Sequence, residues 1–190
     1  MSLLRRGFKA QCERRSVEVR KLMGIGPTGA LPALHLATHL GVTVWSATDI
    51  RELNTSDRNQ LLRVAPDEWS AFVIKDHDRF LVVYNPCESA SRTNSVVMHE
   101  LAHIMLGHEL PAAEQTVDGH LLNGNFDQAQ EAEADWLAGT LLLPRPALLW
   151  MRSKGMSDYE AMDYFTVSED MLRWRVRMTG VDFQITSLAR

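Results

Sequence analysis

The chain has 190 residues, 45% of them hydrophobic, with a formal net charge of −4 and a pI near 6.0. We expect residues 1–190 to form one domain, because this length and apolar content suffice for one core. The slightly acidic balance does not favour a nucleic-acid or membrane-surface protein. Charge, His or Pro interrupts the apolar runs before the roughly 18 residues of a membrane span. Since Cys12 and Cys87 lie far apart without a CxxC pattern, we expect a cytoplasmic protein.

Charge is unevenly distributed along the chain. Basic residues crowd the first 21 positions, whereas the stretch from Thr93 to Pro144 contains no Lys or Arg and many acidic residues. A local excess of negative charge favours a bound dication. By itself, this stretch is explained more simply as a solvated acidic surface.

The first third of the chain predicts helices over 8–23 and 32–40, a strand over 42–45 and a short helix over 56–62 capped by Ser56. The first helix is mostly charged. Its apolar positions are Phe8, Val17 and either Val19 or Leu22. Gly24–Gly29 matches GxGxxG, but it follows a charged helix and contains Pro27, so we interpret it as a loop.

The middle of the chain predicts a β-hairpin with strands over 69–74 and 80–84 around a turn over 75–79. A long helix then begins at a cap, either Ser91 or Thr93, and ends at Gly107. Residues 109–127 are rich in Gly, Asn and Pro and predict a loop. Another helix is predicted over 128–143, where Pro144 interrupts it.

The last part of the chain predicts helices over 146–154 and 158–179, with a break over 166–168. The order of helices, a small sheet and more helices indicates the α+β class, with a small, mostly antiparallel sheet packed against helices. The second segment has a helix-turn-helix look and carries Arg173, Arg175 and Arg177. The net negative charge of the chain favours packing or partner recognition over DNA binding.

His99-Glu100-Leu101-Ala102-His103 is an HExxH motif within the predicted long helix. His99 and His103 lie one turn apart, so both imidazoles point the same way and can share one metal ion. Glu100 is rotated by about 100° around the helix axis, within reach of a metal-bound water. The flanking residues are uncharged, and burying uncoordinated His and Glu side chains there would be costly.

A catalytic zinc site generally takes a third protein ligand. His108 misses the positions of HExxHxxGxxH, so a metzincin arrangement is not favoured. On the next helix, Glu131 and Asp135 share a face, so Glu131 can bind the metal while Asp135 accepts a hydrogen bond from a ligand imidazole. Glu133 points elsewhere and is expected to be solvated. An ordinary amphipathic helix with a charged first turn also explains this segment.

The sequence resembles the ImmA/IrrE metallopeptidases. The resemblance covers about residues 8–180, and these segments carry it: Asp67-Glu68-Trp69-Ser70-Ala71-Phe72, Tyr84-Asn85-Pro86, the HExxH motif with Gly107-His108, and Glu131-Ala132-Glu133-Ala134-Asp135 leading to Leu141-Leu142-Leu143-Pro144. It implies a zincin-like core over residues 8–145 with a helical C-terminal part over 146–180. It also implies zinc ligands at His99, His103 and Glu131, with Glu100 as catalytic base.

The resemblance further implies hydrolysis of a protein substrate, since some members cleave helix-turn-helix repressors. In that case the repressor would be encoded separately. The substrate would lie extended along an edge strand of the small sheet, with the 69–74 strand favoured. The alternative is a non-catalytic, zinc-containing regulatory protein that binds a repressor or DNA. HExxH retains a base that a purely structural site does not need, which favours the enzyme.

Overall fold

A computed structural model describes residues 3–51, 53–109, 114–115, 121–122 and 127–188. The α-helices are α1 Phe8–Leu22, α2 Ala33–Leu40, α3 Thr55–Asn59, α4 Ala90–Leu106, α5 Gln128–Leu142, α6 Arg145–Ser153, α7 Asp158–Phe165, α8 Glu169–Thr179 and α9 Val181–Leu188. The strands are β1 Thr43–Ser46, β2 Ala71–Asp76, β3 Arg79–Tyr84, β4 Glu114–Gln115 and β5 Leu121–Leu122. The predicted α+β class is confirmed.

The three-stranded sheet has the order β1-β3-β2. β2 and β3 form the predicted antiparallel hairpin, with Phe72 opposite Val83, whereas β1 runs parallel to β3, with Val44 opposite Val82. The sheet is therefore mixed, and β2 lies at one edge. The hairpin turn is tighter than predicted, because β2 extends to Asp76 and the turn residue His77 has a φ of 52°.

Helices α4 and α5 pack against each other at the centre of the molecule. Their buried residues include Val97, Met98, Leu101 and Ala102 on α4, and Ala134, Leu137, Ala138 and Leu141 on α5. Alanines at the contact let the two helix axes approach closely. Gly139 does the same for α8, because a Cβ at this position would collide with the ring of Trp174. Close packing fixes the relative placement of α4 and α5.

The α1 helix buries a stripe that matches the predicted one only in part. Phe8, Cys12, Ser16, Val19 and Arg20 are buried, whereas Val17 and Leu22 are exposed. The predictions of Phe8 and of Val19, the alternative to Leu22, are confirmed, whereas the prediction of Val17 was wrong because it considered hydrophobicity alone. The polar residues Ser16 and Arg20 are buried instead, because they donate hydrogen bonds to carbonyl groups of a neighbouring helix.

Those carbonyl groups lie at the C-terminal end of α5. Arg20 donates from Nη2 to the Leu141 carbonyl at 2.7 Å, and Arg175 donates from Nε to the Leu143 carbonyl at 3.0 Å. Both guanidinium groups thus satisfy acceptors that a helix end leaves open and add positive charge where the helix dipole is negative. Burial lowers the pKa of Arg20 to about 10.

The C-terminal helices pack on this framework. Ser168 caps α8, and Thr166 ends α7 with a φ of 50°. Within the segment that looked like a helix-turn-helix, Arg175 is buried and paired with Glu13 of α1, and Arg173 is paired with Glu169. α9, which the sequence pattern did not predict, follows directly. Among the described residues, no helix combines the length and apolarity needed to cross a bilayer.

Candidate metal centre

Helix α4 presents the two motif histidines on one face. It begins one residue after Ser89, whose side chain accepts from the Arg92 backbone N–H, so the predicted caps Ser91 and Thr93 were wrong. Nε2 of His99 lies 2.9 Å from Nε2 of His103, and the ring centroids are 4.7 Å apart. The one-turn spacing therefore brings both nitrogens to one point, as the sequence predicted.

Helix α5 brings Glu131 to the same point. Its two carboxylate oxygens lie 3.2 Å from His99 Nε2 and 3.4 Å from His103 Nε2. Asp127 caps the helix by accepting from the Ala129 backbone N–H, which sets the first turn that carries Glu131. One ligand atom from each of His99, His103 and Glu131 lies within 4.8 Å of the others, so the group could hold a metal ion.

The spacing of these atoms suits a small dication. Zinc–nitrogen bonds of about 2.0–2.1 Å at tetrahedral angles place neighbouring donors roughly 3.3 Å apart. The two histidine nitrogens lie 2.9 Å apart, and they lie 3.2 and 3.4 Å from two different oxygens of the Glu131 carboxylate. A single ion could thus be reached by both imidazoles and by the Glu131 carboxylate.

Asp135 lies one turn beyond Glu131 on α5. Its Oδ1 is 3.0 Å from Nδ1 of His99, the nitrogen that faces away from Glu131. Burial lowers the pKa of His99, but the hydrogen bond to Asp135 and the charges of Glu100, Asp135 and Glu131 outweigh it, so the net shift is upward. The side chain of Asp135 is 69% exposed, so this contact is solvent-accessible on the Asp135 side.

Glu100 is half-buried next to His99. Burial raises the pKa of its carboxyl group, Glu131 raises it further, and His99 opposes the shift. For His103, burial lowers the pKa to about 4, and the neighbouring imidazoles of His99 and His108 act in the same direction. A neutral His103 has a lone pair available, which is the form that binds a metal.

Sequence reasoning missed a group behind His103. Nδ1 of His108 lies 2.9 Å from Nδ1 of His103, and Nε2 of His108 lies 3.6 Å from Glu133 Oε2. Glu133 was expected to be solvated, and this was wrong: its side chain is 18% exposed and is paired with Arg5 at 3.3 Å. A signal was present in the sequence, because His108 directly follows the glycine that ends α4. Arg5 lies far away in sequence and carries no such signal.

Other histidines stay apart from this centre or outside the described residues. His35 and His39, four apart on α2, are both exposed. His120 lies outside the described residues. Within the part of the chain that the structure describes, His99, His103 and Glu131 are the group that could hold a metal.

An HExxH helix with a converging glutamate from a second helix, on a small α+β fold, defines a site of the metallopeptidase class. The family model of the IrrE N-terminal-like domain, a peptidase family, matches residues 49–177. The chain belongs to this metallopeptidase family. No curated protein matches the chain.

Proposed function

We propose that the protein is a zinc-dependent endopeptidase in which His99, His103 and Glu131 hold the metal and Glu100 is the general base. The convergence of three ligand atoms within 4.8 Å carries this proposal. Two imidazole nitrogens with one carboxylate suit zinc, whereas calcium and magnesium prefer oxygen ligands alone. Three protein ligands leave a fourth position for water or substrate, as catalytic sites require.

The chemistry would divide between the metal and this chain's residues. Zinc, when bound, would polarise the scissile carbonyl group and lower the pKa of water to about 7. Glu100 would accept the proton of the attacking water and pass it to the leaving nitrogen. The carbon–nitrogen bond then breaks with release of a neutral amine and not of an amide anion. Asp135 would hold the His99 ring with Nε2 towards the metal.

The substrate would be an extended stretch of protein along β2. This strand is at the edge of the sheet, paired with β3 by residues Ala71–Asp76. An edge strand can pair with a peptide through its backbone, which gives little sequence preference. We propose a helix-turn-helix repressor, encoded separately, as the protein that is cut, and the cytoplasm as the place.

We also propose that residues 1–190 act as one unit, with the site in residues 8–145 and a supporting helical part in 146–180. The contacts of Glu13 support this, because its carboxylate accepts from Arg175 Nη2 at 2.7 Å and from the Arg145 backbone N–H at 2.9 Å. These bonds join α1 to the C-terminal helices. The close approach of Trp174 to Gly139 adds a second link.

The Glu100→Gln substitution tests the enzyme directly. We expect zinc to remain at one equivalent per chain and cleavage of a repressor substrate to fall by about 10²–10⁴-fold, since the amide cannot accept the proton. Elemental analysis measures the metal and gel electrophoresis with mass spectrometry measures the cut. Glu18→Gln, at an exposed position of α1, is the matched control and should cleave normally.

A second candidate function is a zinc-containing regulator that binds a repressor or DNA without cutting it. It predicts that the wild-type protein and Glu100→Gln bind the same partner equally, with no new peptide termini. A defined cut that requires Glu100 would eliminate it. Cleavage that persists in Glu100→Gln would instead refute Glu100 as the base.

A further inference from the structure

The two nitrogens of His103 face different partners. Nε2 lies 3.4 Å from Glu131 Oε1, inside the candidate metal centre, and Nδ1 lies 2.9 Å from Nδ1 of His108. A neutral imidazole carries one proton, so a ring that offers Nε2 to a metal carries its proton on Nδ1. His103 must then donate to His108, and His108 must accept at Nδ1.

The acceptor role fixes the proton on His108 as well. With Nδ1 accepting, the proton of a neutral His108 is on Nε2, which faces Glu133 Oε2 at 3.6 Å. That distance is an ion-pair contact slightly beyond hydrogen-bond range, and among the described residues the buried Nε2 of His108 has no hydrogen-bond partner. The other carboxylate oxygen of Glu133 lies 3.3 Å from Arg5 Nε. The N–H groups of His103 and His108 therefore point in the same direction, from His103 through His108 to Glu133. Arg5 contacts the other oxygen of this carboxylate.

The end of α4 explains why His108 reaches this position. The His108 backbone N–H donates to the His103 carbonyl at 3.1 Å, and the Gly107 N–H donates to the Ile104 carbonyl at 3.2 Å. These two bonds, with Gly107 at a φ of 69°, are the Schellman motif that closes many helices. The residue after the glycine normally makes an apolar contact with the last turn. Here the contact is between two imidazoles, whose planes meet at 72°.

We propose that His108, Glu133 and Arg5 form a relay that positions His103 for the metal, so that the segment ahead of the matched domain supports the site. The inference rests on the proposed function, because it assigns His103 as a ligand. Arg5 lies before residue 49, where the family match begins. Arg15 of α1 adds a second link by donating to the Met105 carbonyl in the last turn of α4 at 2.8 Å.

Zinc affinity, measured by competition with a chromophoric chelator, tests the relay without any substrate. We expect Glu133→Gln and His108→Leu to weaken zinc binding by about 10–100-fold, the usual effect of removing support from a metal-binding histidine. Arg5→Met should weaken it by no more than about 5-fold, because the Arg5 side chain is 60% exposed. Arg5→Lys, which keeps the charge, should restore most of the loss.

Matched controls separate the relay from nonspecific damage. Arg6→Met changes the neighbouring exposed arginine, and His39→Leu removes an exposed histidine near the end of α2. Both should leave zinc affinity unchanged. If His108→Leu does not fold, Glu133→Gln carries the test, because it is nearly isosteric. The double variant Glu133→Gln/His108→Leu should lose little more zinc affinity than either single variant, because each change alone already interrupts the relay.

Nitrogen NMR of the metal-free protein gives an independent readout. The relay requires the Nδ1–H tautomer at His103 and the Nε2–H tautomer at His108. Unchanged zinc affinity in both His108→Leu and Glu133→Gln, or the opposite tautomer at His103, would overturn the relay and leave the peptidase proposal standing. Zinc binding that responds as expected, with no cleavage of any repressor, would overturn the peptidase proposal alone. A wild-type chain that binds no zinc would refute both.

Discussion

The two histidines of the candidate metal centre are supported in opposite ways. Nδ1 of His99, on the side of the ring away from Glu131, contacts the carboxylate of Asp135, which is 69% exposed and lies on the same helix as Glu131. His103 instead contacts His108, whose side chain is 7% exposed, with Glu133 behind it at 18%. Water can replace a lost partner on the open side but not on the enclosed side. We therefore expect that removing the group behind His99 has a small effect on the site and that removing the group behind His103 has a large one.

The enclosed side is linked through Glu133 to Arg5, just ahead of α1, and α1 itself is held by buried donors. Arg20→Met should lower the free energy of unfolding by about 2–4 kcal/mol, because it leaves the Leu141 and Gly29 carbonyls without their donor. Urea denaturation monitored by circular dichroism measures the change. Arg14→Met, at an exposed position of the same helix, should stay within about 0.5 kcal/mol of wild type. Equal losses in the two variants would show that α1 is not held by buried donors.

Removing each acidic support in turn compares the two sides directly. We expect Glu133→Gln to weaken zinc binding by about 10-fold or more and Asp135→Asn by less, because solvent already competes for the exposed carboxylate. The effect of Asp135→Asn should shrink further at about 1 M salt, where the screening length is near 3 Å. If Asp135→Asn weakened zinc binding more than Glu133→Gln at both low and high salt, the comparison would be reversed.

We expect the smallest effect from substituting Gly107, the glycine that ends α4, and Gly41 at the end of α2 is its matched control. Gly107 and Gly41 both have a φ of 69° and open space where a Cβ would stand. Substituting either with alanine should cost about 1 kcal/mol of stability from backbone strain. Only Gly107→Ala should also lower zinc affinity, by a few-fold, because it displaces His108. Equal zinc affinities in the two variants would remove the helix end from the relay.

Local patterns in the sequence predicted much of the framework. The bounds of α1, α2 and α5 agree with the prediction to within one residue, because Gly, Pro and capping residues act over a single turn. Helix α4 ends where it was predicted to end but begins before either predicted cap. The hairpin followed from two β-branched runs around a polar turn. α9 was missed, since Val181–Leu188 begins directly after the glycine that ends α8 and its pattern gave no separate start signal.

The candidate site divides in the same manner. HExxH places two imidazoles on one helix face by spacing alone, and Glu131 with Asp135 repeats that spacing on the next helix. Glu133 was misjudged because its helix position was compared with Glu131 only. Its surroundings depend on Arg5 and His108, which reach it from α1's side and from the end of α4.

The sequence by itself determined most of the helices, the hairpin and the three residues that can bind a metal, because the signals for each come from neighbours within about five positions. The tertiary structure decided which polar side chains are buried and what they meet. Arg20 and Arg175 enter the core because α5 presents open carbonyl groups there, and His108 meets Glu133 because α4 ends beside α5. Such pairings depend on distances between helices that no local pattern encodes.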